Sequence, residues 1–367
     1  MAGGLRTHVS GVGRMIASLA VRLPNWLGDT VMAEPALRAL RRAHPDARVL
    51  LAGPWAAILG GQGLADTLVP YPRPWAARLA AADVVRRFAP DTAVLLPNSL
   101  ESALAAWYWG ARRRIGFDAG GRGLALTDAL PLPIPRRHQI DEYAMLAERG
   151  GARVDDSVPA LTAPPPDGEE RAEARALLDA VGARHGRPTV GVHLGAAYGP
   201  AKTWPPERVV DFCRLLDGSG GRAVLLGTAG EAPAAATIAT QAPAATLAGR
   251  DRPALLPSLL AELDALVAGD TGVAHLAAAL GTPVVTLFGP TDPALSAPRG
   301  RATALTHPVP CAPCFYRVCP IEHPCLRGLD AARVHDAVLA LLGRATLPRA
   351  PITDRQIAAQ QPTGGRR

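Results

Sequence analysis

Ile16-Ala17-Ser18-Leu19-Ala20-Val21-Arg22-Leu23, followed at once by Pro24-Asn25-Trp26-Leu27-Gly28-Asp29-Thr30, decides the reading of the chain. The first half is an apolar run broken only by Arg22. A run without polar alternation predicts a strand buried on both faces. Gly28-Asp29-Thr30 is turn and cap chemistry. The next segment, 31–43, carries Leu37 and Leu40 at helical spacing and Arg38, Arg41 and Arg42 late, where cations suit the helix dipole. Outward from there the alternation continues: a strand over 48–53, a helix over 74–88, a strand over 92–96 ending at Pro97-Asn98, and a helix over 99–109. Strands written as unbroken apolar runs and separated by helices predict an α/β fold with a parallel sheet covered on both faces.

Residues 157–168 (Ser-Val-Pro-Ala-Leu-Thr-Ala-Pro-Pro-Pro-Asp-Gly) read as a linker, and the pattern then restarts. Strands are expected over 189–194, 223–227, 265–268 and 284–288, and helices over 170–181, 206–216, 232–240 and 273–280. The expected division is a disordered lead over 1–14, a first domain over 15–160, a linker and connecting helix over 161–185, a second domain over 186–345 and a flexible tail over 346–367. Ligands of such sheets bind beyond the carboxyl ends of the strands. Two facing halves would therefore hold a ligand in the cleft between them.

Composition narrows the classes. Hydrophobic residues are 48% of the 367 and charged residues 19%, enough apolar material for large cores and too much for a disordered chain. Aromatic residues at 4% argue against a base-stacking surface, so no nucleic-acid partner is expected. No stretch long enough to cross a membrane is free of charge, His and Pro, and the first residues lack the apolar core of a secretory signal, so secretion is not expected. Of 39 basic residues 38 are Arg and one is Lys202, while Asn occurs twice, at 25 and 98. Excess Arg, Ala, Gly and Pro has the look of GC-rich coding, so the net charge of +7 is partly bias, yet it still favours anionic partners. Residue types that survive so rarely in this background mark positions to weigh.

Three segments sit at strand ends. In Asn25 to Thr30, Asp29 is either a helix cap or a carboxylate projecting into the cleft as a general base. No G-x-G-x-x-G stands here, so the nicotinamide fingerprint is absent. The second segment runs from His193-Leu194-Gly195-Ala196 to Lys202-Thr203-Trp204-Pro205. It joins small residues, which leave backbone N–H groups accessible, to the lone Lys, a combination suited to phosphate oxygens, and it is not a P-loop. The third, Gly269-Asp270-Thr271-Gly272-Val273-Ala274-His275, ends a strand and opens a helix whose free N–H groups suit a phosphate. There Asp270 is either a cap or a ligand of sugar hydroxyls, and His275 either a buried structural side chain or a neighbour of the site.

Taken together, 25–40, 195–205 and 270–290 resemble the bacterial ADP-heptose–lipopolysaccharide heptosyltransferases, glycosyltransferase family nine. The similarity is to the heptosyltransferase II type and runs over about 16–345. Its marks are Leu-Pro-Asn-Trp-Leu-Gly-Asp, Gly-Pro-Ala-Lys-Thr-Trp-Pro and the tail Cys-Ala-Pro-Cys-Phe-Tyr-Arg-Val-Cys-Pro-Ile-Glu-His-Pro-Cys-Leu. The resemblance implies a GT-B fold: two facing Rossmann-like domains, the first binding the acceptor, the second the nucleotide sugar, with the active site in the interdomain cleft. It implies inverting transfer of L-glycero-D-manno-heptose from ADP-heptose to the heptose of the lipopolysaccharide inner core. Carried over to matching positions, Asp29 would be the base. Gly195, Ala196 and Lys202 would face the diphosphate, Glu231 the ribose and Asp270 the heptose hydroxyls. Thr271 and Gly272 would offer helix N-terminal donors, with His275 beside them. Asn25, Asn98 and Ser99 would lie on the acceptor side. Tyr198 departs from the family pattern.

No cofactor is implied. The departing diphosphate needs its charge stabilised, and no D-x-D triplet is present to hold a metal, so a Lys plus a helix N-terminus would take that part. Cys311, Cys314, Cys319 and Cys325 form C-x2-C-x4-C-x5-C, open to a structural Zn²⁺ or to a reduced, Pro-rich loop. The expected location is cytoplasmic, peripheral on the anionic inner membrane surface, with Arg112-Arg113-Arg114 and Arg136-Arg137 supplying attraction. A related transferase with another sugar or acceptor, a nucleotide-sugar epimerase and a non-catalytic nucleotide-sugar-binding protein remain the alternatives.

Overall fold

The structure is a computed structural model that describes residues 16–72, 74–183, 186–250 and 252–343. The expected lead at 1–14 and tail at 346–367 lie outside the described residues. The first half contains β1 (Ser18–Arg22), α1 (Leu27–Met32), α2 (Glu34–Ala43), β2 (Arg48–Gly53), β3 (Thr67–Pro70), α3 (Trp75–Phe88), β4 (Thr92–Leu95), α4 (Leu100–Tyr108), β5 (Arg113–Asp118), β6 (Asp128–Pro131) and α5 (Gln139–Arg149). The second contains α6 (Glu169–Ala180), β7 (Thr189–His193), α7 (Pro206–Gly218), β8 (Arg222–Leu226), α8 (Ala232–Gln241), β9 (Ala244–Thr246), α9 (Leu256–Ala261), β10 (Ala265–Gly269) and α10 (Gly272–Ala279). It ends with β11 (Val284–Phe288), α11 (Pro293–Ser296), β12 (Ala302–Thr306), α12 (Pro324–Arg327) and α13 (Ala331–Leu341).

Each half is one six-stranded sheet, ordered β3-β2-β1-β4-β5-β6 and β12-β11-β10-β7-β8-β9. Each pairing, such as β1 with β2 and β4, or β7 with β8 and β10, is parallel. Counted from its own first strand, the second sheet repeats the order of the first. In such a sheet the chain runs outward from the centre in both directions. The loops after the two central strands then diverge and leave a crevice at the switch point. The switch points lie between β1 and β4 and between β7 and β10, and they are where the three sequence segments fall.

Gly28-Asp29-Thr30 is not a turn. The turn is completed by Pro24 to Trp26, and all three residues are helical, with Thr30 Oγ1 donating to the Trp26 carbonyl at 3.0 Å. The helix expected over 31–43 is instead broken at Ala33 into α1 and α2. Pro35 has no N–H to bond the preceding turn, so the first helix ends and a second starts on it.

The linker expected over 157–168 is pinned to the first half. The buried Glu34 carboxylate accepts from Ala160 N at 3.0 Å, Arg38 donates to Val158 O at 3.1 Å, and Gln62 exchanges two bonds with the Thr162 backbone. The halves also share a core. One apolar cluster runs from Val31, Leu37 and Leu40 through Leu276 and Ala277 to Leu259 and Leu178. Asp141 and Arg299 close the junction with two 2.7 Å bonds, and Leu161 N donates to Ala279 O at 2.8 Å.

Candidate active site

The helices that lead from the two switch points meet each other. α1 and α10 touch through glycines: a Cβ on Gly272 would sit 2.8 Å from Gly28 N and 2.7 Å from Leu27 Cβ, and one on Gly28 would sit 2.9 Å from His275 Cδ2. Backbone approach this close is what glycine permits. It brings Asp29, on the first-half helix α1, to the N-terminal end of the second-half helix α10. Burial pushes the Asp29 carboxyl up to about 6, the Asp270 carboxylate adds to that rise, and Lys202 opposes it. A carboxylate raised toward neutrality while still ionised at cellular pH is suited to general-base work.

Lys202 stands in a short turn, Pro200–Lys202, and its Nζ lies 2.5 Å from Asp270 Oδ2 and 3.1 Å from the Asp270 carbonyl. The side chain is 11% exposed and its partner 7%, so this is a buried pair and not a free surface cation. The same Asp270 oxygen accepts from Thr291 Oγ1 at 2.7 Å. The expected partner of Lys202, a phosphate, would therefore meet a lysine already oriented by a carboxylate. Tyr198 lies 4.6 Å from that ammonium and 5.2 Å from the Arg317 guanidinium, so its ring meets two cations.

Thr271 is the N-cap of α10, but its hydroxyl makes no capping bond and is buried without a partner. It stands at the N-terminus of α10, where the helix dipole and first-turn N–H groups suit an anion. His275 is buried, and burial pushes its pKa down to about 4, which keeps the ring neutral. Its ring packs on α1, so it acts as a spacer between the halves. Gly195 lies against Glu231: a Cβ there would come 3.3 Å from the carboxylate. Glu231 Oε2 is held by Thr228 N at 2.8 Å and Thr228 Oγ1 at 2.6 Å, which fixes its direction at the start of α8. Ala196, next to Gly195, anchors the loop by accepting from Gly199 N at 3.0 Å.

Around the carboxyl ends of β1 and β4 the structure adds residues that sequence reasoning missed. Arg22 and Arg122 are both fully buried, and each holds one of the two asparagines. Arg22 donates to Asn25 Oδ1 at 2.8 Å and Arg122 to Asn98 Oδ1 at 3.1 Å. Arg22 is stacked over Tyr71 at 4.6 Å and also bonds the Leu23 carbonyl. Arg122 bonds the Phe117 and Pro97 carbonyls and the Ser102 hydroxyl, and burial lowers its pKa to about 10. With Oδ1 engaged, both amides must present their NH₂ donors elsewhere. Ser99 caps α4, its hydroxyl accepting from Ser102 N at 3.2 Å. The lone Arg in an apolar strand was the one sequence signal for Arg22. Arg122 gave none, and neither did Thr291.

Among the described residues, no group of three or more His, Cys, Asp or Glu side chains is arranged to hold a metal ion, the four clustered cysteines included. Cys325 is buried against Gly289, and Cys319 Sγ accepts from His323 N at 3.2 Å. Of the arginines expected to face a membrane, three are occupied within the fold. Arg113 pairs with Asp128 at 2.7 Å, Arg114 bonds the Ala125 and Ala111 carbonyls, and Arg136 grips Glu142 with two 2.7 Å bonds.

Two doubly wound halves that meet at the helices leaving their switch points form the GT-B architecture of glycosyltransferases. The chain belongs to glycosyltransferase family 9 (heptosyltransferase), whose model matches residues 78–324. It is similar to lipopolysaccharide heptosyltransferase 2 of Escherichia coli (strain K12), 29% identical over 296 residues, 75% of this chain and 83% of that protein. Lipooligosaccharide heptosyltransferase 2 of Haemophilus influenzae is 27% identical over 294 residues, 75% of this chain and 84% of that protein. The solved structure of E. coli ADP-heptose lps heptosyltransferase II superposes with a TM-score of 0.72 at 26% identity, covering 89% of this chain and 98% of that one. The likeness is to the heptosyltransferase II type, as the sequence motifs imply.

Proposed function

We propose that the chain is an inverting glycosyltransferase that moves L-glycero-D-manno-heptose from ADP-heptose to the heptose of the lipopolysaccharide inner core. The observation that carries this is the meeting of α1 and α10, with a raised-pKa carboxylate on one helix and a Lys–Asp pair at the N-terminus of the other. Single displacement at an anomeric carbon needs one base on the acceptor face and charge stabilisation on the leaving-group face. In this reading Asp29 takes the proton of the attacking hydroxyl. Lys202, the α10 N–H groups and Thr271 take the growing charge of the diphosphate. Asp270, steadied by Lys202 and Thr291, accepts from heptose hydroxyls, and Gly195, Ala196 and Glu231 line the nucleoside side. Asn25, Asn98 and Ser99 receive the acceptor.

No helix among the described residues is long and apolar enough to cross a membrane. The proposal places the enzyme on the cytoplasmic side, at the surface of the membrane that carries the acceptor lipid. The test is to incubate the protein with ADP-heptose and an inner-core acceptor bearing one heptose, with and without EDTA, reading ADP release and the product linkage. One added heptose of inverted anomeric configuration, formed in EDTA as well, is the expected result. Release of ADP with no acceptor product, or conversion of the sugar nucleotide alone, would overturn the reading.

A further inference from the structure

The first half carries an apolar surface that its fold does not use. On α4, Leu100, Leu104 and Trp107 are exposed at spacings of one helical turn, while Ala103 and Ala106 face the core. On α3, Trp75 and Leu79 are exposed one turn apart, and Leu124, in the turn at Arg122–Ala125, is fully in solvent. Trp75 is 68% exposed and Trp107 66%. The two helices lie side by side, joined by Arg78–Glu101 at 3.7 Å and by the Tyr108 hydroxyl, which donates to Asp83 at 2.5 Å and accepts from Arg86 at 3.4 Å. These polar ties fill the seam, and the tryptophans and leucines stand out from it. Two adjacent helices that both expose tryptophan and leucine on a folded protein mark an interaction site.

Position and charge select the occupant. α3 and α4 start at the carboxyl ends of β3 and β4, on the edge of the sheet where the candidate site opens. Leu100 directly follows Asn98 and Ser99, and Leu124 is two residues from Arg122, which holds Asn98. Exposed Arg86 and Arg87, in the last turn of α3, and exposed Arg112, beyond α4, border the apolar part. Of the nearby acids, Asp83 is engaged by Tyr108 and Glu101 by Arg78, and exposed Asp118 stands against Gly123 beside Leu124. Exposed tryptophan and leucine on adjacent helices, with arginine at the helix ends, have the composition that lies in a lipid headgroup layer.

We propose that this α3–α4 face seats the enzyme on an anionic lipid bilayer. The contact is then mainly apolar, with Arg86, Arg87 and Arg112 adding charge. The idea rests on the functional reading for one thing only, the reason a bilayer lies beside Asn98: the acceptor sugar must reach the cleft while its lipid stays in the membrane.

Flotation of the full chain with phosphatidylethanolamine–phosphatidylglycerol vesicles tests the face. The wild type should float. Leu104→Ser/Trp107→Ser and, independently, Trp75→Ser/Leu79→Ser should each weaken vesicle partitioning by about tenfold or more. Both should leave turnover on a lipid-free, water-soluble acceptor unchanged, because none of the four side chains belongs to the site. High salt should remove only the arginine share of binding, leaving the wild type partly bound. Bromine-labelled lipid should quench wild-type tryptophan fluorescence and quench the variants less. Variants that float like the wild type, or a wild type that does not float, would overturn the proposal. So would sedimentation without lipid showing a wild-type dimer that both variants dissociate, since the face would then bind a second copy. Wild-type failure on the soluble acceptor would instead strike the functional reading, and flotation would still judge the surface.

Discussion

Gly28→Ala tests whether the contact between α1 and α10 sets the distance between base and donor. The new Cβ would lie 2.9 Å from His275 Cδ2 and 3.2 Å from Gly272 Cα. Carbon atoms prefer about 3.5–4.0 Å, so the contact is short by roughly half an ångström to one. His275 is 5% exposed and hemmed in, and Gly272 offers only backbone, so the strain relaxes by parting the helices. A misplacement of about 1 Å in an active site can cost ~10²-fold in rate. Turnover is accordingly expected to fall about ten- to a hundredfold. ADP affinity should change little, because the proposed donor groups all lie in the second half. Coupled detection of ADP release gives the first quantity and calorimetry with ADP the second. Gly218→Ala is the control, since a Cβ there meets nothing within 4 Å. Adding His275→Ala to Gly28→Ala removes the obstructing ring and should recover part of the rate. Wild-type turnover in Gly28→Ala, or an equal loss in Gly218→Ala, would refute the reasoning.

Asp29 must be ionised to act as a base, so turnover should be lost as pH falls through about 6 and be flat above it, a profile that steady-state rates will trace. Because folding raises this carboxyl from 3.8, the folded state holds the proton more tightly and stability declines as pH rises through that window. Asp29→Asn should therefore abolish turnover and, above about pH 7, be more stable to unfolding than the parent by about 1–3 kcal/mol, as denaturant melts will read. Lys202→Met strands the buried Asp270 carboxylate and should lower the melting temperature. Lys202→Met/Asp270→Asn should regain most of that stability and none of the activity, and a double mutant as unstable as the single would contradict the pairing. Asn98→Asp keeps an oxygen for Arg122 but deletes the amide donors. Acceptor KM should rise about tenfold with donor KM unchanged, and an unaltered acceptor KM would remove Asn98 from the acceptor site.

The sequence by itself determined the parallel α/β halves and where their loops lead. Central strands are buried on both faces, so each is written locally as an apolar run, and β2 and β11 match their expected bounds residue for residue. Strand ends beside Gly, Asp or Asn are equally local, which is why Asp29, Asn98 and Asp270 were legible as candidates. Short outer strands such as β3, β6 and β9 were not, because partial exposure dilutes the apolar signal. Only the tertiary structure decided which groups face each other. Lys202 meets Asp270 across 68 residues, Arg122 reaches Asn98 across 24, and Gly28 meets Gly272 between the two halves. None of these is periodic or adjacent in the chain. The first two come from strands far apart in the chain lying side by side in one sheet, and the third from helices of the two halves packing together, and neither leaves a pattern along the sequence that encodes it.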